Sequence, residues 1–216
     1  MCIRDREVAM ERVRSIPGYQ AYFEAAFGKD NPMTVDNAAK AVAAFERTLI
    51  TPNSAYDRYA KGDKKALNEQ EIRGMKAFDS IGCTSCHSGP AFSGPAMAPG
   101  TGLFMKFPTY ADSPYVAKYS LMKDTGRFEA TKKEADKHLW KVPTLRNIAV
   151  TAPYFHNGSV KTLEDAVLVM ASTQLNTKPD KQQVEDIVAF LKALTGEFPE
   201  QPLPHLPPTL GWTIID

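Results

Sequence analysis

Cys83-Thr84-Ser85-Cys86-His87 decides how this sequence is read, because two thiols two residues apart, followed directly by an imidazole, form the attachment pattern for a c-type haem. Each thiol adds across one haem vinyl group, and the imidazole reaches the iron from one face. A C-x-x-C also occurs in redox dithiols and as half of a zinc site. The dithiol reading lacks a surrounding βαβ pattern. The zinc reading lacks a second pair of ligands, since outside the motif the chain holds only Cys2, His138, His156 and His205.

The segments flanking the motif read as helices. Asn68 as N-cap with Glu71 three residues later makes a capping box, and Ile72, Met75, Ala77 and Phe78 follow before Gly82 closes the helix at the first cysteine. Earlier, Tyr19, Tyr22, Phe23, Ala26 and Phe27 form an apolar stripe stopped by Gly28. A second stripe, Val35, Ala38, Ala39, Val42, Phe45 and Leu49, starts after Thr34 and ends at Thr51-Pro52. Both stripes predict helix-packing core. Residues 53–63 carry Asn53, Ser54, Gly62 and Asp63 and read as a linker.

Beyond His87 the glycines and prolines from Ser88 to Gly102 predict a loop wrapped round the cofactor. Residues 103–140 show no long element and no strand pattern. Thr162 with Asp165 opens a helix whose Leu163, Ala166, Val167 and Met170 share one face. A last helix carries Val184, Ile187, Val188, Leu191 and Leu194 and stops at Gly196. The prolines from Pro199 to Pro208 predict an extended strap against another surface.

The 216 residues suffice for a sizeable core, and 26 basic against 25 acidic side chains leave no global field that would point to nucleic acid or a membrane surface. No run of about 18 apolar residues is present, so no membrane span is expected. Met1 to Arg6 has no apolar signal region, whereas covalent haem attachment belongs to the bacterial periplasm. The sequence is therefore read as part of a longer chain, its signal lost with the true N-terminus.

With His87 on one side of the iron, function depends on the other side. A closed face suits electron transfer, an open one peroxide or oxygen chemistry. On spacing alone Met170, Met122, Met97 and His156 are all candidates. A core role for Met170 and a hydrogen-bonded loop role for His156 stand beside these. His138 and His205 read as surface residues. Trp140 reads as a packed indole, and Arg146 as either a haem-propionate contact or an ion pair.

Taken together, Cys83 to Pro90, Lys141-Val142-Pro143-Thr144-Leu145-Arg146-Asn147 and Thr151-Ala152-Pro153-Tyr154-Phe155-His156-Asn157-Gly158-Ser159-Val160 resemble the bacterial di-haem cytochrome c peroxidases, a group related to the MauG-type enzymes. Ala44 to Leu49, Thr51 to Tyr59 and Asp124 to Phe128 extend the match over nearly the whole chain. The resemblance implies an all-α protein of two cytochrome c-like domains, each with one haem c. Residues 1–52 would be the closing helices of a truncated N-terminal, peroxidatic domain; residues 53–197 the haem domain; residues 198–216 the strap.

It further implies that Cys83, Cys86 and His87 hold the electron-transferring haem and that Met170, fourteen residues past His156, is its second axial ligand, where the MauG branch has a tyrosine. The family binds calcium partly through backbone carbonyls, here those of Thr151 and Pro153. The intact protein would reduce hydrogen peroxide with electrons from a small cytochrome c or a copper protein, as a periplasmic homodimer. No first C-x-x-C-H is present, so this chain would relay electrons without a catalytic residue of its own and be inactive alone. A stand-alone mono-haem carrier and part of a MauG-like oxidase are the alternatives.

Overall fold

The computed structural model describes residues 6–98, 100–201 and 205–208. The chain forms two compact units, Met1–Ile50 with Phe198–Asp216, and Thr51–Glu197. Among the described residues the structure is largely helical, with one small sheet.

The first unit holds α1 (Arg6–Arg14), α2 (Gly18–Phe27) and α3 (Val35–Glu46). Thr34 caps α3 by accepting from the Asn37 amide at 3.1 Å. Met10 and Met33 are buried, and Arg14 donates twice to the Met33 carbonyl, at 3.0 and 2.8 Å. The stripes on α2 and α3, expected to be core, are not: neither helix has a buried residue, and Tyr22, Val42 and Phe45 are more than half exposed. Three short helices have little area with which to cover one another. The α3 helix also ends at Glu46, short of the expected Thr51-Pro52, with Thr48 turning its hydroxyl and amide to the Phe45 carbonyl. Part of the proline strap lies outside the described residues; of the rest, Pro207 lies against Gly18.

The second unit carries the cysteine motif. It begins with α4 (Ala55–Ala60), inside the stretch read as a linker. Ser54 accepts from the Asp57 amide while Asp57 accepts from the Ser54 amide, each at 3.1 Å. This is a capping box with Asp in place of the usual Glu or Gln, and the six residues that follow are too few to show an apolar period. The expected helix before the motif is α5 (Glu69–Ser80), capped reciprocally by Asn68 and Glu71. Residues 103–140 hold more than expected: β1 (Phe104–Lys106), α6 (Pro114–Lys118) and α7 (Phe128–Thr131). β1 pairs antiparallel with β2 (Leu139–Lys141), Met105 opposite Trp140. Three residues per strand are too few to show an alternation in sequence. The Thr162-capped helix is α8 (Leu163–Leu175), and the last is α9 (Lys181–Lys192), boxed by Asp180 and Gln183.

α5 and α9 form the main helix pair. Phe78 of α5 meets Phe190 of α9 with ring centroids 5.5 Å apart, and Ile187, Val188, Leu191 and Leu194 are buried around them. At about 1.5–3 kcal/mol per buried large apolar side chain, this cluster is the chief stabilising element. Arg73 crosses from α5 to grip both Asp186 oxygens, at 3.0 and 3.2 Å. The helices touch at Gly74, where a Cβ would collide with the Asp186 carbonyl. Alanine there would gain about 1 kcal/mol of helix propensity, but the obstructing atom is backbone and cannot swing aside. Gly74→Ala is therefore expected to lower unfolding free energy by roughly 1–3 kcal/mol, read from guanidinium unfolding.

Candidate functional site

Gly82, at φ 99°, ends α5 in a left-handed conformation and leads into a single 3-10 turn over Cys83–Ser85. Side chains at i and i+3 eclipse in such a turn, so Cys83 and Cys86 lie on one side of it. The turn is pinned by Thr84 Oγ1 donating to Asp79 Oδ1 at 2.7 Å and by the amides of Cys86 and His87 donating to the Cys83 carbonyl. Burial pushes the Cys83 thiol pKa up to about 12. A thiol so reluctant to ionise is a poor nucleophile for disulfide exchange.

His87 is half-buried, its ring 6.5 Å from that of Phe78. Burial holds its pKa below the ordinary value, against the opposing effects of the Phe92 and Pro143 carbonyls. The Phe92 carbonyl lies 2.9 Å from Nδ1, so an imidazole protonated at Nδ1 donates to it and carries its lone pair on Nε2. This is the state a metal-ligating imidazole requires, oriented by a backbone acceptor. The donor set therefore fits an iron-bound haem c: two thiols on one side of a turn and a neutral imidazole whose other nitrogen is already committed.

Of the candidates for the opposite ligand, Met97 and Met122 are 49% and 38% exposed, whereas Met170 is partly buried on α8 against the main core cluster, as is Cys83. His156 is partly buried too. Its ring stacks on Trp140 with centroids 4.2 Å apart and planes 18° from parallel. Burial lowers its pKa. His156 Nε2, Trp140 Nε1 and Ser159 Oγ are buried without a hydrogen-bond partner among the described residues. Such orphaned atoms in a native fold call for a missing partner, and the carboxylates of a haem are one chemistry that supplies it. His138, expected at the surface, is instead 9% exposed, with Nδ1 3.1 Å from the Asp124 carbonyl. His205 is exposed.

Arg146 sits 80% buried by side chain beside an equally buried Asp57, Nη2 2.8 Å from Oδ1. Nε donates to the Pro90 carbonyl at 2.9 Å and Nη1 to Ser54 Oγ at 3.1 Å. The guanidinium thus forms the ion pair of its two readings, with three of its five N–H groups committed within the protein. Thr151 and Pro153 are exposed, and among the described residues no hydrogen bond reaches either carbonyl. Two free hard oxygens suit calcium but fall short of the six to eight it takes.

The sequence profile described as di-haem cytochrome c peroxidase matches residues 1–65, and one described as RoxA-like, cytochrome c-like matches residues 140–174. The chain is 44% identical over 203 residues to the cytochrome c551 peroxidase of Nitrosomonas europaea, covering 94% of this chain and 57% of that protein. It is 42% identical over 202 residues to the cytochrome c551 peroxidase of Pseudomonas aeruginosa, covering 93% and 56%. The chain belongs to the di-haem cytochrome c peroxidase family. Within this family it is also 30% identical over 213 residues to the methylamine utilization protein MauG of Methylorubrum extorquens, covering 93% and 56%. The crystal structure of a MauG-like protein associated with microbial copper homeostasis superposes with a TM-score of 0.66 at 26% identity, covering 91% of this chain and 63% of that one. The chain thus spans a little over half the length of the curated relatives it matches.

The Asp57–Arg146 pair makes the site acid-sensitive. Burial alone would raise the Asp57 pKa, but hydrogen bonds from Arg146 and Ser54 outweigh it and hold the carboxyl below its ordinary 3.8. A depressed folded-state pKa stabilises the fold fully above the unfolded value and loses that contribution as pH falls through the folded one. The stability gap between the native chain and Asp57→Asn should stay constant above pH 3.8 and close below it, measured by urea unfolding across pH.

Proposed function

We propose that this chain is the electron-relaying portion of a di-haem cytochrome c peroxidase, holding one covalent haem c through Cys83, Cys86 and His87 with Met170 as the second axial ligand. The observation that carries the reading is the Phe92 carbonyl 2.9 Å from His87 Nδ1, which prepares a neutral imidazole directly after the cysteine turn. When bound, the haem supplies a one-electron couple. The chain's own residues anchor its edge through Cys83 and Cys86, orient the ligand through Phe92 and, with the Met170 thioether, exclude water and small substrates from the far side. A site closed on both sides changes charge with little rearrangement, which suits relay rather than peroxide chemistry.

In this reading, α1 to α3 belong to the peroxidatic domain of the whole protein, which would reduce hydrogen peroxide in the periplasm as a homodimer, fed by a small cytochrome c or a copper protein. The carbonyls of Thr151 and Pro153 would supply part of a calcium site there. Three helices outside the haem unit disfavour a stand-alone carrier, and a thioether at position 170 disfavours a MauG-like oxidase. Among the described residues no helix is long and apolar enough to cross a membrane.

The haem-loaded chain should retain its haem through denaturation and, when oxidised, show the weak far-red thioether-to-iron band. Met170→Ala should abolish that band while leaving the haem attached. A band that survives the substitution places the ligand elsewhere, and peroxidase turnover by this chain alone contradicts the relay role.

A further inference from the structure

The loop that presents the His87 acceptor is held in an unfavourable shape. Phe92 has φ 51°, a left-handed conformation that costs a bulky residue on the order of 1–2 kcal/mol, so its surroundings must impose it. The carbonyls just before Phe92 show how. Arg146 Nε donates to Pro90 at 2.9 Å, while Thr144 Oγ1 and the Leu145 amide donate to Ala91 at 2.6 and 3.3 Å. Three consecutive residues of one irregular segment thereby clamp two consecutive carbonyls of the loop. The guanidinium carbon also lies 5.5 Å from the Phe92 ring centroid and 5.7 Å from that of Tyr56, and those two rings meet edge to face at 5.1 Å.

Arg146 is in turn fixed from behind by the capping box of α4, through Asp57 at 2.8 Å and Ser54 at 3.1 Å. A planar fork with three differently directed donors can satisfy a backbone carbonyl, a hydroxyl and a carboxylate together; a lysine cannot. The chain of contacts runs unbroken from the α4 N-terminus through Asp57, Arg146, Pro90 and Phe92 to His87 Nδ1.

We infer that Arg146 is a positioning residue for the iron ligand: held by Asp57 and Ser54, and aided by Thr144, it locks the 88–92 loop so that the Phe92 carbonyl stays on His87 Nδ1. The inference rests on the reading of His87 as a haem ligand and adds to it the residues that keep the imidazole in place.

The test is hydrogen exchange of the His87 Nδ1 proton, followed by NMR in the haem-loaded chain in its reduced, diamagnetic state. Arg146→Gln should speed that exchange about ten-fold or more, because the loop opens locally without the whole unit unfolding. Arg146→Lys, which keeps the charge but not the fork, should recover only part of the protection, and Asp57→Asn should fall between Gln and the native chain. Arg73→Gln, which cuts the remote α5–α9 ion pair, is the control for global stability and should leave the exchange close to native.

Equal acceleration by Arg73→Gln and Arg146→Gln, or none by Arg146→Gln, overturns the inference. Should Arg146→Gln fail to fold, Thr144→Val removes a single bond of the same clamp and should speed exchange in the same direction; unchanged exchange in it is equally fatal. A chain that takes up no covalent haem overturns the haem reading and this inference together, whereas normal loading with unaltered exchange overturns this inference alone.

Discussion

One hydrogen bond organises the site: the imidazole of His87 has to keep its Nδ1 proton on a fixed acceptor so that Nε2 remains available to a metal. A buried imidazole left free could rotate, switch tautomer or bind water, and the ligand would be lost in each case. The acceptor chosen here is the Phe92 carbonyl, five residues along a loop without regular structure. A loop is a poor mount for so exact a contact. Much of the second unit therefore serves to stiffen it: the aromatic cluster of Tyr56, Phe78, Phe92 and Phe190 beneath, and the Thr144 to Arg146 segment beside it.

The cysteines depend on a different support. They leave the end of α5 through a left-handed glycine, and α5 is fixed by its packing on α9. The site thus draws on two mounts that share Phe78 and Phe190, one for the thiols and one for the imidazole's acceptor. Phe78 and Phe92, whose ring centroids lie 6.4 Å apart, are where the two meet. A contact between mounts lets packing in the core set the relation between the turn and the loop, which short-range hydrogen bonds alone would leave free.

The long capped helices were legible in the sequence because their signals are local. Asn68 with Glu71 and Thr162 with Asp165 declare α5 and α8 within four residues each, and apolar periodicity does the rest. The α4 helix escaped because its six residues give no periodicity to accompany the cap. The two strands escaped because they find their partners more than thirty residues apart. At the site, the motif announces Cys83, Cys86 and His87, while the roles of Phe92 and Arg146 are invisible in sequence: one acts through a carbonyl any residue carries, the other through partners 56 and 92 positions away. The surface reading of His138 failed for the same reason, since its burial comes from long-range packing.

The grip between Arg73 and Asp186 joins residues 113 positions apart. Until nearly all the rest of the unit is in hand and α9 arrives, α5 therefore has no partner helix to hold it. In that unpacked state both thiols are open to covalent chemistry, whereas the completed fold leaves Cys83 and Cys86 only partly accessible.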